Sequence, residues 1–353
     1  MNYEEKYMYR CLQLAAYGAG YVAPNPMVGA VVVHNDRIIG EGFHQRFGES
    51  HAEPNAIHAV KDESLLTEST LYVNLEPCSH FGKTPPCANL IVEKGIPRVV
   101  VGTLDPNPKV SGKGIEILKN AGVEVVTGIL EDTCYQLNKR FFTWQKEKRP
   151  YVLLKWAQTR DGFIDRIREN ATTPPLQISD NMTKQLTHRV RSENQAIMVS
   201  TNTVVLDNPS LTVRNWSGKN PIRIVLDRTG RIPRDYKIFD QTVKTLVFTE
   251  NPHESTEKVI YIHLQFDENM LGNMLKIIAS QGIHSVLVEG GSMLLNSFIK
   301  SGLWDEARTE VSDILTGNGV PAPSTEVAAE CSTNINNHLY LIYKNRNKKF
   351  FYE

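Results

Sequence analysis

Four residues in the amino-terminal third of the chain have the types and spacing of a zinc site with a catalytic carboxylate. One residue separates His51 from Glu53, and Cys78 and Cys87 follow later in the chain. One imidazole and two thiolates supply three ligands for Zn²⁺ and leave the fourth tetrahedral position open to water, as in catalytic zinc sites. Glu53 would take a proton from that water and return protons to a leaving nitrogen.

The order H-x-E followed by P-C-x-x-C is the signature of zinc deaminases that act on bases. This chain departs from it, because eight residues rather than two separate Cys78 from Cys87. A closed structural zinc site is the alternative, with His80 in the enlarged loop as its fourth ligand. Glu53 distinguishes the two hypotheses, since a structural site has no need of an acid/base there.

These residues must be positioned by an alternating α/β layout. Helices are predicted to begin at His51 and at Cys87, where the positive end of the helix dipole favours a thiolate. A β-hairpin is predicted before them, over 27–43, as are a buried strand at 71–75 and further strands at 98–102 and 123–126. Helical patterns between the strands complete the prediction of an α/β fold.

A second constellation lies near the carboxyl terminus, where a predicted strand runs into Glu289-Gly290-Gly291 and then into a helix starting at Ser292. Without Cβ atoms, the two glycines let backbone N–H groups approach a phosphate closely, and the helix start adds favourable partial charge. A plain tight connection between strand and helix is an equally good interpretation of this pattern alone.

Composition limits the classes of partner. Thirty-nine basic and thirty-nine acidic residues leave no net charge, which argues against nucleic acid or a membrane surface and favours a small-molecule substrate. The first residues carry charges and no apolar signal segment, and the five cysteines are too few and scattered for a disulfide framework. A cytoplasmic protein is therefore predicted. The charged, proline-ended stretch at 145–150 predicts two domains, 1-147 and 148-353.

With the upstream Asn25-Pro26-Met27-Val28-Gly29, the motifs His51-Ala52-Glu53, Glu76-Pro77-Cys78 and Pro86-Cys87 resemble the diaminohydroxyphosphoribosylaminopyrimidine deaminases of riboflavin biosynthesis. The resemblance implies a cytidine-deaminase-like, three-layer amino-terminal domain with one Zn²⁺ per chain. The residues that it implies for substrate binding in this domain are Asn25, His44, His80, Lys83, Asp105 and Asn107. For His44, a surface position at the hairpin end is the alternative.

The second half resembles the reductase part of the same proteins in the order of Asp161-Gly162, the segment 203–214 and the glycine turn at 289–291. The resemblance implies a fold similar to dihydrofolate reductase, with NADPH as cofactor. The cofactor contacts that it implies are Gln158, Thr203, Asp207, Gly291, Ser292, Met293, Leu294, Leu295, Asn296 and Ser297. The implied substrate contacts are Arg191, Leu211, Arg214 and Glu289, the arginines suiting a phosphate.

The whole chain is therefore predicted to be a bifunctional enzyme. Its first half would deaminate 2,5-diamino-6-(5-phosphoribosylamino)pyrimidin-4-one, and its second half would reduce the ribosyl group of the product to ribityl with NADPH. Two alternatives stay open: a zinc nucleoside or nucleic-acid deaminase with an inactive accessory domain, and a zinc-stabilised binding protein without activity. A homo-oligomer is compatible with each of these.

Overall fold

The computed structural model describes residues 2–79, 85–107 and 111–346. The chain divides into two compact units, Met1–Lys146 and Glu147–Glu353. No helix within the described ranges is long and apolar enough to cross a membrane.

The first unit contains a five-stranded sheet in the order β2-β1-β3-β4-β5, and two short helices follow its last strand. Strand β1 is antiparallel to both neighbours, whereas β3, β4 and β5 run parallel. The elements are α1 (Tyr3–Ala16), β1 (Gly29–His34), β2 (Arg37–Phe43), α2 (Ala52–His58), a 3-10 helix (Glu63–Glu68), β3 (Thr70–Leu75), α3 (Cys87–Glu93), β4 (Arg98–Thr103), α4 (Lys113–Asn120), β5 (Glu124–Thr127), α5 (Glu131–Leu137) and α6 (Lys139–Glu147).

The strands of this unit are apolar on both faces, which is expected of a sheet covered on both sides. Along β1, Val32 points into a cluster with residues of α2, α3 and α4, while its neighbours Val31 and Val33 point into a cluster with α1 and α5. The strand period of two therefore separates two cores on opposite sides of one sheet. The result is the three-layer arrangement that the resemblance implies.

The second unit is built on a nine-stranded sheet in the order β11-β10-β9-β8-β12-β6-β13-β16-β15. The first seven strands of that order run parallel, and β16 and β15 are antiparallel additions at one edge. The elements are β6 (Tyr151–Gln158), β7 (Phe163–Asp165), α7 (Asn181–Ser192), β8 (Ala196–Ser200), α8 (Thr201–Asp207), β9 (Ile222–Leu226), a 3-10 helix (Lys237–Phe239), β10 (Thr245–Thr249), β11 (Val259–His263), α9 (Met270–Ser280), β12 (Ser285–Gly290), α10 (Ser292–Ser301), β13 (Glu306–Val311), β14 (Val320–Pro321), β15 (Cys331–Ile335) and β16 (His338–Lys344).

Two cores again cover the two faces of this sheet. Leu154 of β6 belongs to the cluster under α9 and α10, and the adjacent Leu153 belongs to the cluster that includes Val204 of α8. Alternation along β6 therefore places Lys155 on the same face as Leu153. The predicted α/β class is confirmed in both units.

Candidate active sites

The three candidate zinc ligands lie at the ends of elements in the first unit. His51 is the N-cap residue of α2, Cys87 is the first residue of α3, and Cys78 follows β3 by three residues. Helix α3 is preceded by Pro86, whose fixed φ suits a helix start. The ends of one strand and two helices thus bring together residues that are far apart in the sequence.

The distances between the ligand atoms fit Zn²⁺. The His51 Nδ1 atom lies 3.6 Å from Cys78 Sγ and 3.4 Å from Cys87 Sγ, and all three atoms lie within 4.8 Å of one another. Tetrahedral bonds of about 2.1 Å to nitrogen and about 2.3 Å to sulfur place such atoms about 3.6 Å apart. The donor set and its spacing therefore suit a three-ligand zinc site.

The electrostatics of this cluster favour a thiolate beside a protonatable carboxyl. A hydrogen bond from the Cys87 thiol lowers the pKa of Cys78, and the backbone N–H of Cys87 also donates to Cys78 Sγ at 3.3 Å. Glu53 is only 3 % exposed, and burial raises the pKa of its carboxyl to about 7. A carboxyl with that pKa can accept and release a proton near neutral pH.

His44 is held in one orientation next to the zinc-ligand cluster. Its Nδ1 is 3.0 Å from the Ser50 carbonyl oxygen, and its Nε2 is 3.1 Å from the Asn25 side-chain nitrogen. These partners fix a neutral ring that donates from Nδ1 and accepts at Nε2, and burial lowers the pKa of His44 accordingly. The His44 and His51 rings lie edge to face with centroids 5.5 Å apart. The surface position considered for His44 is wrong, because the side chain is 2 % exposed.

A buried carboxylate positions the segment that carries Asp105 and Asn107. Glu76 accepts hydrogen bonds from the backbone N–H groups of Asp105 (3.1 Å), Gly112 (3.0 Å) and Gly114 (3.0 Å). The Asp105 side chain in turn accepts from the Asn107 backbone N–H at 2.8 Å. The predicted residues His80 and Lys83 lie outside the described residues.

The candidate reductase site is a cavity of about 750 Å³ in the second unit. Five cationic side chains and three carboxylates line it, which gives the cavity a net positive charge that suits a phosphorylated ligand. The predicted residues that line it are Thr203, Asp207, Gly291, Ser292, Met293, Leu295, Arg191, Arg214 and Glu289.

The glycine turn forms one wall of this cavity and fits a closely approaching phosphate. An added Cβ on Gly291 would come within 3.4 Å of Thr203 Oγ1, and Gly290 has a φ of +149°, which favours glycine. The Gly291 N–H donates to Ser200 Oγ at 3.3 Å, and Gly291 is the N-cap residue of α10. The Gly291 N–H and the hydroxyls of Ser200 and Thr203 therefore lie together at the start of α10, where the cofactor pyrophosphate was predicted.

The two predicted phosphate-binding arginines have different surroundings. Arg191 makes two hydrogen bonds to Glu289, at 3.0 and 2.6 Å, so its charge is already neutralised. Burial opposes ionisation of Glu289, but Arg191 lowers the pKa of this carboxyl overall. Arg214 contacts the hydroxyls of Ser210 and Thr212 and makes no ion pair with a described carboxylate. Its charge is therefore available to a ligand.

Other predicted reductase contacts are engaged within the protein. Asp207 accepts from Arg168 at 2.5 Å, and Leu211 packs in the core with 3 % exposure. Five predicted residues are not part of the cavity wall: Gln158, Leu211, Leu294, Asn296 and Ser297. The Leu294 side chain points from α10 into the core, so only its backbone could face a cofactor.

Sequence reasoning missed several residues that shape the sites. Lys155 lines the cavity, and burial lowers its pKa although Glu289 and Glu310 counteract this effect. Arg168 bridges Asp165 and Asp207 there. A single lysine within an apolar strand was the available signal for Lys155, whereas Arg168 lies in an irregular segment without a motif.

Comparisons with known proteins cover both units. Residues 1–103 match the family described as cytidine and deoxycytidylate deaminase zinc-binding region, and residues 150–338 match the RibD C-terminal domain. The riboflavin biosynthesis protein RibD of Aquifex aeolicus is 40% identical over 90% of this chain and 89% of its own. The protein of the same name from Escherichia coli is 34% identical, with 89% of each chain covered.

Solved structures match this chain over both units. The diaminohydroxyphosphoribosylaminopyrimidine deaminase/5-amino-6-(5-phosphoribosylamino)uracil reductase of Thermotoga maritima superposes with a TM-score of 0.87 at 37% identity, covering 97% of this chain and 98% of that chain. RibD of Acinetobacter baumannii gives a TM-score of 0.85 at 33% identity, covering 96% and 98%. The predicted fold class, a deaminase-like unit followed by a reductase unit similar to dihydrofolate reductase, is confirmed.

Proposed function

The chain belongs to the RibD family of riboflavin-biosynthesis enzymes, and from this premise we propose which of its residues carry out the two reactions. It is a bifunctional deaminase and reductase that uses Zn²⁺ and NADPH and acts on a phosphoribosylaminopyrimidine. The matches extend over most of the chain, so they favour this function over a nucleic-acid deaminase and over a zinc-stabilised binding protein.

For deamination, His51, Cys78 and Cys87 would hold the metal, as the spacing of their ligand atoms supports. When bound, Zn²⁺ is a Lewis acid that acidifies water. The N–H of Cys87 stabilises the Cys78 thiolate, and the neutral Asn25–His44 pair presents a fixed polar wall to the substrate. Asp105 and Asn107 would bind the substrate from the segment that Glu76 holds.

Glu53 would move the protons of this reaction. Its carboxyl is not among the converging ligand atoms, and burial gives it a pKa of about 7. As a carboxylate it takes a proton from the attacking water, and as an acid it protonates the leaving nitrogen, which departs as ammonia. The observation that supports this role is a buried, protonatable carboxyl beside, but outside, a three-ligand cluster.

The test is Glu53→Gln in the zinc-loaded protein. We expect one Zn²⁺ per chain by elemental analysis and a loss of ammonia release of about 10²- to 10⁴-fold, the range for a general acid/base. Glu68→Gln, at an exposed position in the same unit, is the matched control. Loss of zinc together with activity would make Glu53 a ligand, and retained activity would exclude the acid/base role.

For reduction, the nicotinamide supplies a hydride, so the protein mainly has to bind and align two ligands. Gly291, Ser292 and Thr203 would bind the cofactor pyrophosphate at the start of α10, with Met293 exposed beside them. Arg214 would bind the substrate phosphate, because no described carboxylate neutralises it. Arg191 would keep Glu289 ionised and oriented toward the substrate. Oxidation of NADPH that depends on the deaminated pyrimidine tests this half.

The setting of these reactions is part of the same proposal. None of the five cysteines forms a disulfide, which supports a reducing, cytoplasmic location. The balanced charge supports a small molecule, rather than nucleic acid or a membrane, as the partner. The exposed strand β15 ends the nine-stranded sheet and is compatible with a homo-oligomer. Sedimentation velocity of the purified chain would test the last point.

A further inference from the structure

A buried carboxylate of the second unit has no role in the proposed function. Glu310 lies in β13 with 0 % exposure. In the parallel pairing of β13 with β6, Arg308 is opposite Lys155 and Glu310 is opposite Ala157. The strand period of two therefore places Glu310 on the same face as Lys155, the face that carries the cavity. Burying an unpaired carboxylate costs free energy, so the groups that contact Glu310 indicate what it does.

Two polar side chains flank Glu310 on opposite sides. The Ser179 hydroxyl donates to Glu310 Oε2 at 2.8 Å, and Ser179 lines the reductase cavity. On the other side, His338 Nδ1 lies 2.8 Å from Glu310 Oε1. The His338–Glu310 contact is short enough for an ion pair, but its geometry is not that of a hydrogen bond. A small rotation of the His338 ring would direct its N–H at the carboxylate.

The series continues to the protein surface. The His338 side chain is 12% exposed, and its Nε2 is 3.8 Å from Asp180 Oδ2, in a side chain that is 30% exposed. Asn336 also donates to this carboxylate. The other ionisable groups that face Glu310 are Lys155 on β6 and Tyr340 on β16. Asp180, His338, Glu310 and Ser179 thus form a continuous polar path from solvent to the cavity.

The reduction consumes a proton, because its two hydrogens come from different sources. The hydride forms a new C–H bond at the sugar carbon attached to the ring-linked amine. The bond from that carbon to the sugar ring oxygen breaks, and its electron pair stays on the oxygen. The oxygen becomes a hydroxyl only by taking one proton, so each turnover removes one proton from the cavity.

We propose that Ser179, Glu310 and His338 form a relay that returns this proton from solvent to the reductase cavity. His338 takes a proton from water at Nε2 and gives its Nδ1 proton to Glu310. The Ser179 hydroxyl, which donates to Glu310 Oε2, then turns so that its own proton moves into the cavity, while the protonated Glu310 carboxyl rotates and gives its proton to Ser179 Oγ. The relay rests on the proposed reductase function, and its residues act through the cavity groups without touching the reacting carbon.

The first test uses His338→Gln and His338→Ala in the full-length, zinc-loaded chain. We expect reductase kcat to fall by about 10²-fold, the lower end of the range for a proton-transfer group, and more steeply at high pH where protons are scarce, with the KM for NADPH unchanged. The solvent isotope effect on kcat should rise. Added imidazole should restore the His338→Ala variant, because a small base can replace the missing relay group. His253→Gln, at an exposed histidine of the same unit, should match the wild type.

Ser179→Ala is the second variant, which interrupts the path at the cavity end and removes only one hydroxyl. It should reproduce the loss of kcat without responding to imidazole. A wild-type pH profile in His338→Gln, or no rescue of His338→Ala by imidazole, would overturn the relay. Unchanged kcat in Ser179→Ala would overturn it even if the His338 variants did not fold. Ammonia release should stay at the wild-type rate throughout. A wild-type chain that did not oxidise NADPH would instead refute the proposed reductase function.

Discussion

Glu76 is expected to control the deaminase site without touching zinc or substrate. Its carboxylate accepts three backbone hydrogen bonds, two at Oε2 and one at Oε1, and is 4% exposed. Glu76→Gln keeps one acceptor oxygen and turns an NH₂ group toward one or two N–H donors. Each hydrogen bond to a charged group contributes about 1.5–3 kcal/mol, and the bonds that remain lose their charge assistance. We therefore expect a local destabilisation of about 2–4 kcal/mol.

Hydrogen exchange of the full-length protein measures this local effect. Amide protection in peptides covering 103–107 and 111–116 should fall by about 30-fold or more, since each 1.4 kcal/mol corresponds to about a factor of ten. The KM for deamination should rise because Asp105 loses its anchor, while zinc content stays at one per chain. Glu116→Gln, on the exposed side of α4, is the matched control. Unchanged protection and unchanged KM in Glu76→Gln would refute the reasoning.

Three further predictions concern the second unit. Arg214→Ala should raise the substrate KM of the reductase, because about 1.5–3 kcal/mol of phosphate-binding free energy is lost, and should leave ammonia release unchanged. An unchanged KM would place the phosphate elsewhere. A fragment that starts at Glu147 should have a higher urea unfolding midpoint than one that starts one residue later, because Glu147 pairs with the buried Arg149. If both fragments were insoluble, the prediction that the second unit folds by itself would be contradicted. A hydrogen bond from Arg223 lowers the pKa of Asp240 from 3.8 to about 2, so the stability that it contributes should be complete above about pH 4 and lost as the pH falls toward 2. Urea unfolding of Asp240→Asn should show a weaker dependence on pH in this range.

The elements predicted from the sequence are those in which apolar residues dominate. Strands β3 and β4 were predicted to within one residue at each end, because runs of Val, Ile and Leu mark buried strands. Helix starts at His51 and Cys87 were also predicted, within one residue of the observed starts at Ala52 and Cys87. Local chemistry was sufficient for these elements.

The strands at the carboxyl end could not be predicted in the same way. Strand β13 lies between two other strands but contains Glu306, Arg308 and Glu310. These charged residues interrupt the apolar pattern by which an interior strand is predicted from the sequence. These charges are tolerated because their partners come from distant parts of the chain: Tyr151 donates to Glu306, and Ser179 donates to Glu310. A pairing across more than a hundred residues leaves no local pattern in the sequence.

The same limit applies to the reductase site, where two arginines that look equivalent in the sequence are used differently. Arg191 is adjacent to Glu289 in the fold, so its charge stabilises a buried carboxylate instead of binding an incoming anion. Burial and the nearby Arg191 cation lower the pKa of Arg214, and the described side chains that its guanidinium contacts are hydroxyls. A bound phosphate would relieve this repulsion, which is why the second arginine, and not the first, is the better candidate for substrate recognition.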